Sequence, residues 1–241
     1  MSYVLLVGDT HTTKTAISHA FFLAEQYGAE HILQLGDFGF WPNHPLGAEF
    51  LDLTNSSAEA TGIEFVFVDG NHEDHDELEK FEKTGGLVNV LEHVLWAPRG
   101  SRWEWAGRTF GALGGAFSPD FGKKAGIPWF EYSEYPTPLD LETLGPDHLD
   151  VLATHDVPET TVPIKFSPLP DDMEARAQAP KQLIERAIQI TRPSLVVHGH
   201  IHHRHTTNHR LGARVEGFTC DGKTGTYGLL DLETLEVTDI G

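Results

Sequence analysis

Residues 3–11 read YVLLVGDTH, an apolar run that ends in a Gly-Asp-x-His turn. The run predicts a short buried strand. Over the following segment, Thr12–Tyr27, apolar residues recur at helical spacing, and Thr12 or Thr13 is the expected helix cap. Strand, turn and helix in this order predict a β-α unit. Repeated β-α units form largely parallel sheets that helices cover.

The strand with its polar turn recurs along the chain. Residues 31–37, HILQLGD, and residues 63–72, IEFVFVDGNH, each place Gly with Asp or Asn directly after an apolar run. Leu149–Ala153 and Leu195–Val197 predict two further buried strands that end at polar residues. The acidic segment Asp74–Lys83 is a helix candidate. This alternation of strands and helices favours an α/β fold.

The middle and the carboxyl-terminal part of the sequence depart from this pattern. Arg99–Gly115 predicts short strands on either side of a turn at Ala106–Arg108. Val215–Val237 is also rich in strand-forming residues, and a helix is expected over Lys181–Ile190. These segments indicate a second sheet.

Length and charge limit the classes of function. The chain has 241 residues and no long polar linker, so we expect a single domain over residues 1–241. Lys and Arg number 17 against 36 Asp and Glu, which gives a net charge of −19. Affinity for nucleic acid rests largely on Lys and Arg that neutralise phosphates. A role in binding duplex nucleic acid is therefore disfavoured, whereas binding of a small phosphate ester at a local metal centre is not.

The cysteine content and the amino terminus bear on the cellular setting. The single cysteine, Cys220, cannot form an intramolecular disulfide. The first residues, MSYVLLVGDTH, have no basic segment and only a short apolar run, so we expect neither a signal peptide nor a membrane anchor. These features favour a reducing cytoplasm. The oligomeric state is not determined by the sequence.

Polar residues of one kind follow each of five predicted strands. In an open α/β sheet the carboxyl ends of the strands converge on one edge, so residues far apart in sequence can meet there. Carboxylate, amide and imidazole groups in one cluster suit divalent ions, whereas a structural zinc site would use several thiolates. Manganese is the ion we expect first, with iron, zinc and nickel as alternatives. The five segments are Gly8-Asp9-Thr10-His11, Gly36-Asp37, Gly70-Asn71-His72, Thr154-His155 and Gly199-His200-Ile201-His202.

These segments resemble the ordered motifs of the calcineurin-like metallophosphoesterase family. The family's blocks Asp-x-His, Gly-Asp, Gly-Asn-His, His and Gly-His-x-His occur here in that order, from position 9 to position 202. The resemblance implies two packed mixed β-sheets flanked by helices and a centre of two divalent metal ions. It implies that one ion is bound by Asp9, His11, Asp37 and His202. It implies that the other is bound by Asp37, Asn71, His155 and His200, with Asp37 as the bridge.

The resemblance also implies a chemistry. Two cations held about 3.5 to 4 Å apart lower the pKa of a shared water and stabilise the charge of an in-line displacement at phosphorus. The family resemblance assigns His72 the role of general acid, which donates a proton to the leaving alkoxide. As a separate hypothesis, Asp69 and Asp156 orient ligand imidazoles by accepting hydrogen bonds from them.

Other histidines and the aromatic residues near these segments have plainer interpretations. His203, His205 and His209 are interpreted as a solvated loop or hairpin, with a metal-buffering tract as the alternative. His198 is interpreted as a half-buried strand residue. For the aromatic residues, local packing is the first interpretation, and a wall on which a substrate base stacks is the alternative. They are Phe38, Phe40, Trp41, Phe117, Phe121, Trp129 and Phe130.

Two further segments could border the site. Lys123 and Lys124 are interpreted as facing solvent, with a phosphate contact as the alternative. The Pro-rich segment 158–180 follows the predicted ligand His155 and could cover the site as a lid.

Two classes of function fit the sequence. The first is a hydrolase that acts on small phosphodiesters, cyclic nucleotides among them, or on phosphomonoesters. The second is a non-catalytic interaction module on the same scaffold, which the presence of His72 disfavours because decayed family members typically lose this residue. A nuclease is a further alternative, against which the acidic surface argues. A protein Ser/Thr phosphatase is disfavoured, because such relatives carry Asp-Arg-Gly where residues 38–41 read FGFW.

Overall fold

The computed structural model of the protein describes residues 2–118, 133–164 and 169–241, without the side chain of Asp172. Within these residues the chain forms two β-sheets, of seven and six strands, with helices on their outer faces. The strands are β1 (Tyr3–Val7), β2 (His31–Leu35), β3 (Glu64–Val68), β4 (Val88–Asn89), β5 (Val94–Ala97), β6 (Arg102–Trp105), β7 (Arg108–Leu113), β8 (Val151–Thr154), β9 (Leu195–His198), β10 (His205–Asn208), β11 (Arg214–Gly217), β12 (Tyr227–Asp231) and β13 (Val237–Asp239).

Each sheet has a parallel centre with antiparallel strands beside it. The first sheet has the order β13-β12-β1-β2-β3-β5-β4, in which β1, β2, β3 and β5 are parallel. The second sheet has the order β10-β11-β9-β8-β7-β6, in which β7, β8, β9 and β11 are parallel. The expected fold class, two packed mixed sheets flanked by helices, is thereby confirmed.

The helices of the described residues cover the outer faces of the sheets. The first helix along the chain agrees with the predicted segment Thr12–Tyr27. The second helix was not predicted from the sequence. The last begins ten residues before the predicted segment 181–190 and continues through Pro180. The helices are α1 (Lys14–Tyr27), α2 (Pro45–Thr61), α3 (His75–Leu78), α4 (Pro138–Leu144) and α5 (Asp171–Thr191).

The acidic helix expected over Asp74–Lys83 is wrong in length, because only the single turn α3 forms. Asp74 caps this turn by accepting a hydrogen bond from the backbone N–H of Glu77 at 3.2 Å. Within α3 only His75 and Leu78 are buried. An isolated helix is marginal without an apolar face that packs on the core, and two buried residues do not supply one.

Three apolar layers hold the elements together. Leu5 and Val7 of β1 belong to the layer between the first sheet and helices α1 and α2. Val4 and Leu6, on the opposite face of the same strand, belong to the layer between the two sheets. A third layer, to which the buried Ile188 belongs, joins the second sheet to α4 and α5. In the described part of the chain no helix combines the length and the apolar character that crossing a membrane requires.

Candidate metal centre

The predicted site residues follow strands of both sheets. Because the sheets pack face to face, the turns after these strands meet at one edge of the sandwich. Asp9 and His11 follow β1, Asp37 follows β2, and Asn71 follows β3. His155 follows β8, and His200 and His202 follow β9.

Asp9 joins the turn after β1 to the turn after β9. Its Oδ2 atom lies 2.8 Å from Nε2 of His202. Its Oδ1 atom accepts a hydrogen bond from the backbone N–H of His200 at 3.1 Å. One ligand atom each from Asp9, His11 and His202 lies within 4.8 Å of the others. This group could hold one metal ion.

Asp37 lies between imidazoles from both sheets. Its Oδ1 atom is 3.3 Å from Nε2 of His155, and its Oδ2 atom is 3.4 Å from Nε2 of His11. Asp9, Asp37 and His155 form a second group whose ligand atoms all lie within 4.8 Å of one another. The two groups share Asp9, and Asp37 contacts His11 of the first, so together they form one continuous centre.

Asn71 and His200 lie at the margin of this centre. Oδ1 of Asn71 is 3.1 Å from Nε2 of His155. The ring centroid of His200 is 5.0 Å from that of His155. Among the described side chains, the imidazole of His200 belongs to neither group within 4.8 Å. Metal ligation by all seven residues stays a prediction.

The charges of the centre favour cations. Burial alone would lower the pKa of His155, but Asp37 and Asp9 outweigh it and raise that pKa to about 10. Burial would likewise lower the pKa of His11, and the same carboxylates raise it to about 9. Burial would raise the pKa of Asp37, yet His155 and His72 hold it well below its ordinary value. The carboxylates therefore favour positive charge at the centre, and its oxygen and imidazole donors fit hard to borderline divalent ions.

Four of the seven predicted ligands have a left-handed backbone conformation. The angle φ is +46° at His11, +49° at Asp37, +63° at His200 and +49° at His202. Non-glycine residues adopt this conformation rarely, it costs about 1–3 kcal/mol at each position, and it concentrates at functional sites. The polar turns thus orient these side chains in directions that an ordinary strand end would not provide.

Two glycines of the motifs allow the facing sheets to approach. A Cβ atom at Gly36, whose φ is +89°, would lie 2.2 Å from Nδ1 of His155. A Cβ atom at Gly199 would lie 2.2 Å from Oδ1 of Asp9. Each of these glycines therefore leaves space for a predicted ligand from the other sheet.

Glu73 was missed by the sequence interpretation. Its fully buried carboxylate accepts hydrogen bonds from the backbone N–H groups of residues 38–40, at 2.7 to 2.9 Å. Burial and the charge of Asp37 raise the pKa of Glu73 to about 7. Glu73 thus holds the loop after Asp37, and its position directly after His72 was the available signal.

Asp221 was also missed. Its Oδ1 atom lies 3.2 Å from Nδ1 of His11, and its Oδ2 atom accepts a hydrogen bond from the hydroxyl of Thr13 at 2.8 Å. Thr13 is the N-cap of α1, as predicted, but its side chain makes no capping hydrogen bond to the helix. Asp221 belongs to none of the sequence motifs, so no pattern marked it.

Asp69 and Asp156, which were expected to orient ligand imidazoles, both pair with cations, and the orienting role stays a prediction. Oδ2 of Asp69 lies 2.6 Å from Nη2 of Arg99. Oδ2 of Asp156 accepts a hydrogen bond from Nζ of Lys181 at 2.8 Å. These ion pairs position the turns after β3 and β8. The predicted ligand His155 is held by a different contact, in which its Nδ1 atom lies 2.7 Å from the carbonyl oxygen of Leu35.

Two of the other histidines, His198 and His209, differ from their expected surroundings. His198 is fully buried and not half-buried, and burial lowers its pKa to about 3. His209, expected in a solvated segment, is buried with Nε2 at 3.0 Å from both carboxylate oxygens of Glu185. His205 is the first residue of β10, which forms a hairpin with β11. This agrees with the interpretation of the His-rich segment as a loop or hairpin.

His72 lies beside the bridging position. Its backbone N–H donates a hydrogen bond to Oδ1 of Asp37 at 2.9 Å. Its Nε2 atom is 4.0 Å from Oδ2 of Asp37, and its side chain is 23% exposed. The backbone carbonyl of His72 accepts a hydrogen bond from Nε1 of Trp41 at 2.8 Å. The imidazole is therefore both next to the centre and accessible to a molecule in solvent.

The aromatic residues after Asp37 pack locally. Phe38 and Phe40 are buried, with ring centroids 4.7 and 6.0 Å from that of Phe67. Phe117 contacts the guanidinium of Arg176, whose carbon lies 5.1 Å from the ring centroid. Phe121, Trp129 and Phe130 lie outside the described residues, as do Lys123 and Lys124. The segment expected as a lid contains the first half of α5.

Comparison with known proteins identifies the family. The sequence model described as calcineurin-like phosphoesterase matches residues 2–204. The chain belongs to this family. It is accordingly a metal-dependent phosphoester hydrolase, with Asp9, Asp37 and His155 among the candidate metal-binding residues. No functionally curated protein matches the chain significantly.

Solved structures share the fold of this calcineurin-like phosphoesterase. A protein of Thermus thermophilus has a TM-score of 0.63 at 16% identity, over 99% of this chain and 98% of that chain. A dimetal phosphatase from Danio rerio has a TM-score of 0.61 at 11% identity, over 94% and 91% of the two chains. An archaeal phosphodiesterase has a TM-score of 0.51 at 14% identity, over 99% and 98%. At these identities the likeness concerns the fold alone.

Proposed function

We propose that this calcineurin-like phosphoesterase hydrolyses small phosphodiesters or phosphomonoesters with two divalent cations, manganese first among them, and with His72 as the general acid. The position of Asp37 carries this proposal. Its carboxylate oxygens lie within 3.4 Å of Nε2 of His11 from the first sheet and Nε2 of His155 from the second. Nε2 of His72 lies 4.0 Å from Oδ2 of the same carboxylate. A carboxylate so placed is suited to bridging two cations.

The proposed ligands divide between the two halves of the centre. Asp9, His11 and His202 would hold one ion, and His155 with Asn71 and His200 the other, while Asp37 is shared. When bound, the ions supply Lewis acidity and a nucleophile at neutral pH. The protein orients these ligands through hydrogen bonds such as that from Nδ1 of His155 to the carbonyl of Leu35.

His72 supplies the proton. Its protonated Nε2, which lies 4.0 Å from Oδ2 of Asp37, would donate to the ester oxygen that leaves phosphorus. The Trp41 indole holds the backbone of His72 from the other side. The side chain is partly exposed, so a substrate can reach it without rearrangement of the core.

The proposed substrate is small. The net charge of −19 repels long polyanions. The loop after Asp37, residues 38–41, contains no arginine that could bind a phosphate group. Phe38 and Phe40 of this loop belong to the apolar core. Cyclic nucleotides and other small diesters are therefore preferred over nucleic acids and phosphoproteins. A cytoplasmic setting, with Cys220 as a free buried thiol, is part of the same proposal.

Steady-state hydrolysis tests the proposal. The purified protein, reconstituted separately with Mn²⁺, Fe²⁺, Zn²⁺ and Ni²⁺, is assayed with bis-p-nitrophenyl phosphate, p-nitrophenyl phosphate and a panel of cyclic nucleotides. We expect turnover of a small ester with at least one metal, with Mn²⁺ the most active. No turnover with any metal would favour the non-catalytic interaction module. Cleavage of DNA in preference to small esters would favour the nuclease.

The role of His72 is tested separately by the leaving group. Protonation matters for a poor leaving group such as an alkoxide and little for p-nitrophenolate, so His72→Asn should lower kcat about 10²- to 10⁴-fold for an alkyl ester and far less for the nitrophenyl ester. His203→Asn, an exposed neighbour in the His-rich segment, is the matched control and should leave both rates unchanged. Equal losses on the two esters in His72→Asn would remove the general acid role.

A further inference from the structure

The turn formed by residues 219–226 lies beyond the residues that the family model matches. It is attached to the end of β1, directly beside the predicted ligand Asp9. The backbone N–H of Gly8 donates a hydrogen bond to the carbonyl of Thr226 at 2.9 Å, and the N–H of Asp221 donates to the carbonyl of Asp9 at 2.8 Å. Asp9 and Cys220 also form a parallel bridge. A segment outside the family motifs is thus built into the metal centre.

Both carboxylate oxygens of Asp221 contact side chains of the turn between β1 and α1. Oδ1 lies 3.2 Å from Nδ1 of His11, and Oδ2 accepts from the Thr13 hydroxyl at 2.8 Å. The side chains of Asp221 and His11 are 27% and 28% exposed, so neither is free to rotate as a fully solvated group would. The carboxylate therefore connects the residues on either side of Thr12.

The backbone between these two contacts is strained. His11 has a φ of +46° and Thr12 a φ of +61°, two successive non-glycine residues in the left-handed region. Such a conformation persists only where surrounding contacts determine it. Asp221 contacts His11, the first residue of the strained pair, and Thr13, the residue after it, which places Asp221 where it can keep the His11 ring directed into the centre.

We propose that Asp221 is a positioning residue for the metal ligand His11. Its Oδ1 accepts a hydrogen bond from Nδ1–H of His11, which leaves the lone pair on Nε2, the atom that lies 3.4 Å from Oδ2 of Asp37. A metal-binding histidine whose other ring nitrogen donates to a carboxylate is held in one tautomer and one orientation, and it is a more basic ligand. The proposal rests on the metal centre of the proposed function, but not on the reaction.

Metal affinity of the metal-free protein tests this role directly. Apparent Kd values for Mn²⁺ and Zn²⁺ are measured by competition with a chelating dye. Asp221→Ala should weaken binding about 10- to 100-fold, the usual effect of removing such a partner. Asp221→Asn should weaken it less, because its amide oxygen still accepts from Nδ1, and Thr13→Val should also weaken it less, because only the second contact is lost. Asp52→Ala and Thr15→Val, exposed positions on α2 and α1, are the matched controls and should bind as the parent does.

The tautomer of His11 provides a readout that general destabilisation would not reproduce. In long-range ¹⁵N–¹H spectra of the Zn²⁺-loaded parent, the His11 proton should reside on Nδ1. A proton on Nε2 would overturn the proposal, as would an affinity of Asp221→Ala within twofold of the parent or an equal loss in Asp52→Ala. Thermal unfolding of each metal-free variant checks the fold. If Asp221→Ala does not fold, Asp221→Asn and Thr13→Val decide, and metal affinities of both that equal those of the two exposed controls would overturn the proposal. Tight metal binding without ester hydrolysis would refute the proposed function and leave this inference standing.

Discussion

Oδ2 of Asp9 lies 2.8 Å from Nε2 of His202, although 193 positions separate the two residues and they follow strands of different sheets. The contact therefore exists only when both sheets are formed and packed. The same holds for His155 and Asp37, at 3.3 Å across the two sheets. Metal binding should consequently be coupled to folding of the whole sandwich.

Metal ions should stabilise the fold by binding the native state alone. At a Mn²⁺ concentration about 100 times its Kd, the free energy of unfolding should rise by about 2.7 kcal/mol, and EDTA should abolish the gain. Asp9→Asn should lose most of it, because Asp9 belongs to both ligand groups. Thermal unfolding with and without Mn²⁺ measures this, with Asp52→Asn on the exposed face of α2 as control. An undiminished gain in Asp9→Asn would contradict the assignment of Asp9.

Gly36→Ala should damage the site through a clash and not through backbone strain alone. Gly36 and Gly62 both have a positive φ, but the new Cβ at position 36 would lie 2.2 Å from the His155 ring, whereas the one at Gly62 meets nothing within 4 Å. Gly62→Ala should cost about 1–2 kcal/mol of stability, the cost of the left-handed conformation. Gly36→Ala should cost more and also reduce metal binding. Denaturant unfolding and metal titration of both variants check this, and equal effects would argue against the clash.

Ala106→Asn should stabilise the protein. Ala106 and Gly107 form the two-residue turn between β6 and β7, with φ of +47° and +77°. Two positive φ angles are typical of a type I′ turn, for which Asn-Gly is a preferred sequence. Ala106 is exposed, so we expect a gain of about 0.5–1 kcal/mol in unfolding free energy with no change in activity. Ala106→Pro, which cannot adopt the positive φ, should destabilise. An unchanged unfolding free energy in Ala106→Asn would show that the positive φ of Ala106 does not reduce the stability of the protein.

Asp150 should contribute stability that depends on pH. Burial alone would raise its pKa, but hydrogen bonds from Thr109 and the guanidinium of Arg108 outweigh it and lower the pKa below the ordinary 3.8. The folded state therefore favours the carboxylate, which stabilises the protein above about pH 4, and the contribution disappears as the pH falls through the lowered pKa. The difference in unfolding free energy between the parent and Asp150→Asn should be constant from about pH 5 to 7 and shrink below about pH 4. A difference that persists unchanged at about pH 2.5 would contradict this.

The strands and the turns after them could be predicted because both carry local signals. The apolar run 3–7 forms β1 with the predicted bounds, and the Gly-Asp and Gly-His turns lie where expected. The meeting of Asp9 and Asp37 followed from the parallel order of β1 and β2. His155 joins them from the second sheet, and the packing of two sheets was implied by the family resemblance alone. The one-turn helix α3 could not be predicted, because its length depends on how few of its residues reach the core.

Contacts made by segments distant in sequence were beyond prediction. Glu73 belongs to no predicted motif, and only the fold of residues 38–40 over it makes it a buried acceptor for their backbone N–H groups. Asp221 reaches His11 because β12 pairs antiparallel with β1 in one register, with Leu229 opposite Leu5. Neither local propensity nor motif spacing determines such a register.

The position of β1 between β2 and β12 has a practical consequence for trimming the protein. The family match ends at residue 204, before β12 begins. A truncated protein that contains only the matched residues would have β1 as an open sheet edge. The unpaired N–H and carbonyl groups of that edge would make the truncated protein prone to aggregation. The part of the chain that homology recognises is thus smaller than the part that must fold together, and useful cloning boundaries have to include the last two strands.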